Sequence, residues 1–276
     1  MLVYLVLGLV GAYLFLCALV YLFQDSLIFL PDRTLDTTPD KEGMTCEDVR
    51  IAVTPSEAIH AWYFPRMQSL EPAGTVLICH GNAGNISQRL STAQMFLDLG
   101  CSVLLFDYRG YGLSDGRPSE KNTYADARAA WNWLLSEKQV HPQSLFVFGR
   151  SLGGAVAVEL AGQVKCGGLI LESTFTSAAN MGQWLYPFLP IKWLSRTRFD
   201  SQSRIGKLNC PILVAHSPSD EMVPFSLGRA LYEAAGPDKR FVELAGGHNE
   251  LRSLNNDLYR KVLRDFLHVG PGDSTI

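Results

Sequence analysis

The chain has 276 residues, 47% of them hydrophobic, enough for one large α/β core or two small ones. Its formal net charge of -3 shows no basic excess, so nucleic acid is not expected as a partner. Six cysteines, at positions 17, 46, 79, 101, 166 and 210, fall without C-x-x-C spacing and signal neither a zinc site nor a redox pair.

Residues 1–23 contain no charge. As a helix they would extend about 35 Å, enough to cross a hydrocarbon core of about 30 Å. A cleaved signal peptide fits less well, because no basic n-region precedes the apolar run and no A-x-A site follows it. The reading is a single-pass transmembrane anchor over 1–23, a polar connector over 24–47 carrying Pro31 and Pro39, and a globular domain over 48–270. Two alternating runs, 49–54 and 59–64, predict an edge hairpin. The unbroken apolar run Thr75-Val76-Leu77-Ile78-Cys79 predicts a strand covered on both faces. A helix over 86–98 follows, with Asn85 as its N-cap. Strands at 102–106, 144–148, 169–171, 212–215 and 241–244 then alternate with helices near 119–137, 154–161, 226–235 and 250–267. This alternation predicts an α/β fold: a mostly parallel sheet with helices on both faces. The rhythm breaks at about 175–206, where Met181, Trp184, Tyr186, Phe188, Ile191 and Trp193 crowd together. That bulk either caps the sheet and lines an acyl pocket or merely anchors the insertion on the core.

Gly149-Arg150-Ser151-Leu152-Gly153 lies between a predicted strand and a predicted helix. In that setting G-x-S-x-G is a nucleophile elbow, a turn that exposes the serine hydroxyl; side chains at 149 and 153 would collide with neighbouring backbone. A serine hydroxyl needs a base to take its proton and a carboxylate to orient that base. In elbow enzymes the order along the chain is serine, acid, histidine. His248, in a glycine-rich loop after the last strand, satisfies that order, whereas His60, His80, His141, His216 and His268 fit it less well. Asp220 is the favoured acid, ahead of Glu172 and then Asp107. The oxyanion hole would use the amides of Leu152 and Asn82. Asn85-Ile86-Ser87 is a glycosylation sequon at the mouth of this site, where occupancy is not expected.

The motifs His80-Gly81-Asn82-Ala83-Gly84-Asn85, Asp107-Tyr108-Arg109-Gly110-Tyr111-Gly112, Gly149-Arg150-Ser151-Leu152-Gly153-Gly154 and Glu172-Ser173-Thr174-Phe175 resemble the α/β-hydrolase superfamily. Within it they are most similar to the membrane-anchored branch related to the yeast bud-emergence hydrolases. The resemblance implies the α/β-hydrolase fold and a Ser-His-Asp serine hydrolase that needs no cofactor or metal. Substrates in the wider group include esters, thioesters, lipids and peptides. The expected substrate here is an acyl ester or thioester, in a lipid or a lipidated protein near the membrane. An aminopeptidase or amidase and a non-catalytic membrane scaffold are the competing expectations.

Overall fold

The computed structural model describes residues 1–250, Leu254 and residues 256–268. The first element, α1 (Leu2–Ile28), runs five residues beyond the expected anchor boundary. The reason is a tertiary contact: Gln24 is buried, and its Oε1 accepts the amides of Arg196 and Thr197 at 2.7 and 3.0 Å. Asp25 accepts the Thr197 hydroxyl at 3.0 Å. The polar residues that look like a helix end in composition are thus engaged with a distant segment. Beyond α1, Leu30-Pro31 pairs in parallel with Ala83-Gly84, pinning the start of the connector to the loop that follows the first parallel strand.

The sheet has eight strands: β1 (Glu47–Ala52), β2 (Ala58–Phe64), β3 (Gly74–Cys79), β4 (Cys101–Phe106), β5 (Leu145–Arg150), β6 (Gly168–Glu172), β7 (Ile212–His216) and β8 (Lys239–Glu243). Their spatial order is β8-β7-β6-β5-β3-β4-β2-β1. β1 and β2 form the antiparallel edge, β2 meets β4 antiparallel, and every other pairing is parallel. Period-2 alternation divides each continuous apolar run between two cores. Leu77, Val147 and Leu171 face a layer with Trp131 and Val156; Val76, Ile78 and Phe148 face one with Phe96 and Leu263.

The helices with described bounds that follow α1 are α2 (Leu90–Leu97), α3 (Glu120–Ser136), α4 (Leu152–Ala161), α5 (Ala178–Leu185), α6 (Ile191–Leu194), α7 (Gln202–Ile205), α8 (Phe225–Ala234) and α9 (Asn256–His268). The helix expected over 86–98 opens instead as a 3-10 turn at Ile86–Arg89. Asp107 takes the Ile86 amide at 3.0 Å and the Asn85 side chain takes the Ser87 amide at 2.9 Å, which tightens that first turn. Asn85 itself is fully buried, so its sequon has no room for a glycan. Residue 250, near which the last helix is expected to begin, lies in a turn, and residues 251–253 and the expected domain end at 270 fall outside those described.

At the elbow, a Cβ on Gly149 would run into the Gly153 carbonyl and Ala157, and one on Gly153 into the carbonyl oxygens of Cys79 and His80. Replacing glycine by alanine inside a helix ordinarily stabilises by up to about 1 kcal/mol. At Gly153 the sign inverts: Gly153→Ala is expected to cost about 3 kcal/mol or more, read as a lower urea midpoint at unchanged slope.

Candidate active site

Ser151 sits between β5 and α4 with φ 53° and ψ -123°, a backbone conformation that costs on the order of 1–3 kcal/mol for a non-glycine residue. Its neighbours hold it there. The Ser151 amide donates to the Glu172 carbonyl at 3.0 Å, and its own carbonyl accepts the Thr174 hydroxyl at 2.7 Å and the Gly154 amide at 3.0 Å. Leu152 opens α4, so its amide is among those a helix leaves without an intrahelical acceptor.

The structure brings Asp220 and His248 into contact. His248 Nδ1–H donates to Asp220 Oδ2 at 2.8 Å, with Oδ1 at 3.0 Å, and both residues are buried. This fixes the tautomer in which Nε2 is free of its proton and can act as a base. The amides of Met222 and Val223 donate to Asp220 Oδ1 at 3.0 and 2.8 Å. Burial pushes the Asp220 pKa up, but bonds from His216, His248 and the Val223 amide outweigh it and hold the carboxyl well below the usual carboxylate range. The loop carrying His248 is tied down twice. Its amide donates to Glu221 at 2.9 Å, and Arg150 Nη2 donates to its carbonyl at 2.5 Å and to Asn249 Oδ1 at 2.9 Å.

The other acids are used elsewhere. Glu172 is fully buried with Oε1 3.1 Å from Arg150 Nε, and Asp107 holds the Ile86 amide and lies 3.4 Å from His80 Nε2. His60 pairs with Asp48 at 3.1 Å, His141 caps the turn Pro142–Ser144, His216 donates to the Val223 carbonyl at 3.0 Å, and His268 ends α9.

Two residues with supporting parts escape sequence reasoning. Arg150 is the unspecified residue of the elbow motif, and only the fold shows that it reaches the His248 loop, 98 positions away. His80, set aside there by chain order, donates from Nδ1 to the Gly81 carbonyl at 2.7 Å while its ring packs on Tyr108 at 4.4 Å. That carbonyl shares a peptide plane with the Asn82 amide, so the His80 ring fixes the direction in which the Asn82 N–H points. The Asn82 carbonyl accepts Leu30 N at 3.0 Å and the Tyr111 hydroxyl at 2.7 Å, and its side chain donates to the Ile28 carbonyl at 3.0 Å.

Ser151, Leu152 and Asn82 line one cavity of about 580 Å³. Its apolar walls come from α1 (Leu16, Val20, Leu27) and from the insertion (Met181, Leu185, Leu189). Within the insertion, Leu189 and Ile191 bury themselves against Cys17 of α1, while Ala178 and Met181 pack against the core cluster that holds Leu77 and Leu171.

Residues 70–199 match the family described as serine aminopeptidase, S33, a span that holds Ser151 and stops before Asp220 and His248. The chain is similar to an uncharacterized protein of Mycobacterium tuberculosis, 42% identical over 245 residues that cover 88% of this chain and 87% of that one. It is also similar to the alpha/beta hydrolase domain-containing protein WAV2 of Arabidopsis thaliana, 32% identical over 278 residues, 91% of this chain and 89% of the other. Among solved structures, an esterase of Pyrococcus furiosus superposes with a TM-score of 0.70 at 18% identity, covering 87% of this chain and 97% of that one.

Proposed function

The chain belongs to the α/β-hydrolase family, and we propose that it is a membrane-anchored serine hydrolase cleaving carboxylic ester or thioester bonds. The contact that carries this reading is His248 Nδ1 on Asp220 at 2.8 Å, in a fold that holds Ser151 at a strained turn. In the proposed cycle His248 Nε2 takes the Ser151 proton as Oγ attacks the acyl carbon. The amides of Leu152 and Asn82 bind the resulting oxyanion. Collapse of the tetrahedral species expels the alkoxide or thiolate, which takes the proton from His248. Water, deprotonated by the same ring, then attacks the acyl-serine; the carboxylic acid leaves and Ser151 regains its proton. Asp220 orients the ring and stabilises its cationic form throughout.

α1 has 27 residues and a mean hydropathy of 2.5 in its most apolar window, a profile that a membrane anchor and a signal sequence share. What favours an anchor over a cleaved signal is that loss of α1 would remove the Gln24 acceptor from the Arg196 and Thr197 amides. The serine aminopeptidase description of the matching family favours a second reading, release of an amine by the same machinery. Against it, the cavity lining is mostly apolar, with Glu221 its one acidic residue among the described residues.

Labelling with a fluorophosphonate probe tests the reading. Strong labelling of the full chain is expected, lost in Ser151→Ala and slowed by about 100-fold or more in His248→Ala. A folded wild-type chain that does not label, or labelling that survives Ser151→Ala, would refute it. A panel of aminoacyl amides against fatty-acyl esters separates the two enzyme readings.

A further inference from the structure

The cavity beside Ser151 is walled on one side by α1, the same helix that has the length and hydropathy to cross a bilayer. That coincidence sets the depth of the insertion. A core of about 30 Å needs about 20 helical residues, and the charge-free stretch ends at residue 24, so the domain-side edge of the hydrocarbon falls near residues 20–24. Arg196 lies over the Tyr21 ring at 4.9 Å, an arginine-tyrosine pairing suited to that interface. The insertion reaches past this level. Leu189 and Ile191 pack on Cys17, and the Tyr13 hydroxyl donates to the Phe188 carbonyl at 2.9 Å. Tyr13 lies seven or more residues inside the edge, which is about 10 Å or more of helix.

The surface of the insertion agrees. Trp193 is 90% exposed, Phe188 63% and Trp184 52%, a cluster of large apolar side chains of the kind that marks an interaction surface. Between Thr176 and Ser195 the sole charged residue is Lys192, whose long stem can carry its ammonium to headgroup level.

We propose that the insertion is immersed in the proximal leaflet and that α1 forms one wall of the acyl-binding site. The substrate is then a long-chain acyl ester resident in the bilayer, whose chain slides between α1 and the α5–α6 segment without crossing water. The cavity runs from the level of Leu16 to that of Ile28, about 18 Å of helix, and near Ile28 it meets Ser151 and Asn82. The Asn82 side chain donates to the Ile28 carbonyl, so the foot of the anchor also braces the proposed oxyanion loop. The substrate claim rests on the serine hydrolase reading; the leaflet claim does not.

The test uses the full chain in phosphatidylcholine vesicles and has two readouts. First, lipids brominated on their acyl chains should quench tryptophan fluorescence, and most of that quenching should disappear in Trp184→Phe/Trp193→Phe. Second, the wild type should hydrolyse 4-methylumbelliferyl palmitate with a kcat/KM more than about tenfold above the butyrate ester, since two buried methylenes alone are worth that factor. Val20→Trp, which fills the α1 wall, should collapse the palmitate-to-butyrate ratio towards one; Leu16→Trp serves if the first variant does not fold. Absence of quenching overturns the leaflet placement. A ratio near one in the wild type, or one unmoved by both variants, overturns α1 as an acyl wall. If fluorophosphonate labelling fails while quenching persists, the hydrolase reading and its substrate fall and the leaflet placement stands.

Discussion

Asp220→Asn is expected to lower kcat/KM on an acyl ester by about four orders of magnitude while the chain still folds. The size follows from which oxygen is already spoken for. The Met222 and Val223 amides both donate to Oδ1, so the asparagine carbonyl must take that place. Its NH2 then occupies the Oδ2 position and faces His248 Nδ1, where 2.8 Å now separates the heavy atoms of an acceptor and a donor. Two donors cannot share that contact. The ring must shift its proton to Nε2, the nitrogen assigned to activating Ser151. The same substitution has a pH signature. The Asp220 carboxyl is held below its ordinary range, after burial acting upward is outweighed by bonds from His216, His248 and the Val223 amide. A depressed folded pKa gives stability that is complete above the unfolded carboxylate value of about 3.9 and lost as pH falls through the folded one. The difference in melting temperature between wild type and Asp220→Asn should therefore persist from pH 7 to about pH 5 and close only below about pH 4. A gap that closes between pH 7 and pH 5 would mean that the carboxylate is not held ionised.

Much of this architecture is written in short runs. Thr75 to Cys79 is apolar at every position except its first because Val76 and Ile78 enter one core and Leu77 and Cys79 the other. A strand buried on both faces leaves no other pattern. The Asp220–His248 contact is legible because both residues, like Ser151, follow strands of a mostly parallel sheet, whose carboxyl ends meet at one edge. What escapes is contact across large separations. Tyr13 reaches Phe188 over 175 positions and Gln24 reaches Thr197 over 173. A membrane span would by itself account for the apolar run 1–23, and hydropathy gives the same value to a leucine facing lipid as to one facing protein. The docked face of α1 is thus hidden inside a signal that already has an explanation. The aromatic insertion is ambiguous for the same reason, and it packs on α1, which the sequence places more than 150 residues away.

Arg150→Met should separate stability from catalysis. The guanidinium does two jobs from one side chain: its Nε lies 3.1 Å from Glu172 Oε1, and its Nη2 holds the His248 carbonyl and Asn249 Oδ1. Removing it withdraws the pairing cation from a carboxylate that is fully buried, a change that costs about 3–5 kcal/mol where buried pairs have been broken. Arg150→Met/Glu172→Leu removes the charge as well, and replacing a buried pair by packed apolar groups is often close to neutral. The double variant should therefore recover most of the lost stability in urea unfolding. Activity should not follow. Both variants lack the Nη2 donor, so the backbone under His248 loses its tie to the residue next to Ser151. A misplacement of about 1 Å at a reacting group can cost about 100-fold in rate, so kcat should stay depressed by about 10- to 100-fold in the single and the double variant alike, with KM little changed. If the double variant regains activity together with stability, Arg150 serves the fold alone; if kcat stays low in a chain as stable as wild type, Arg150 is a positioning residue for His248.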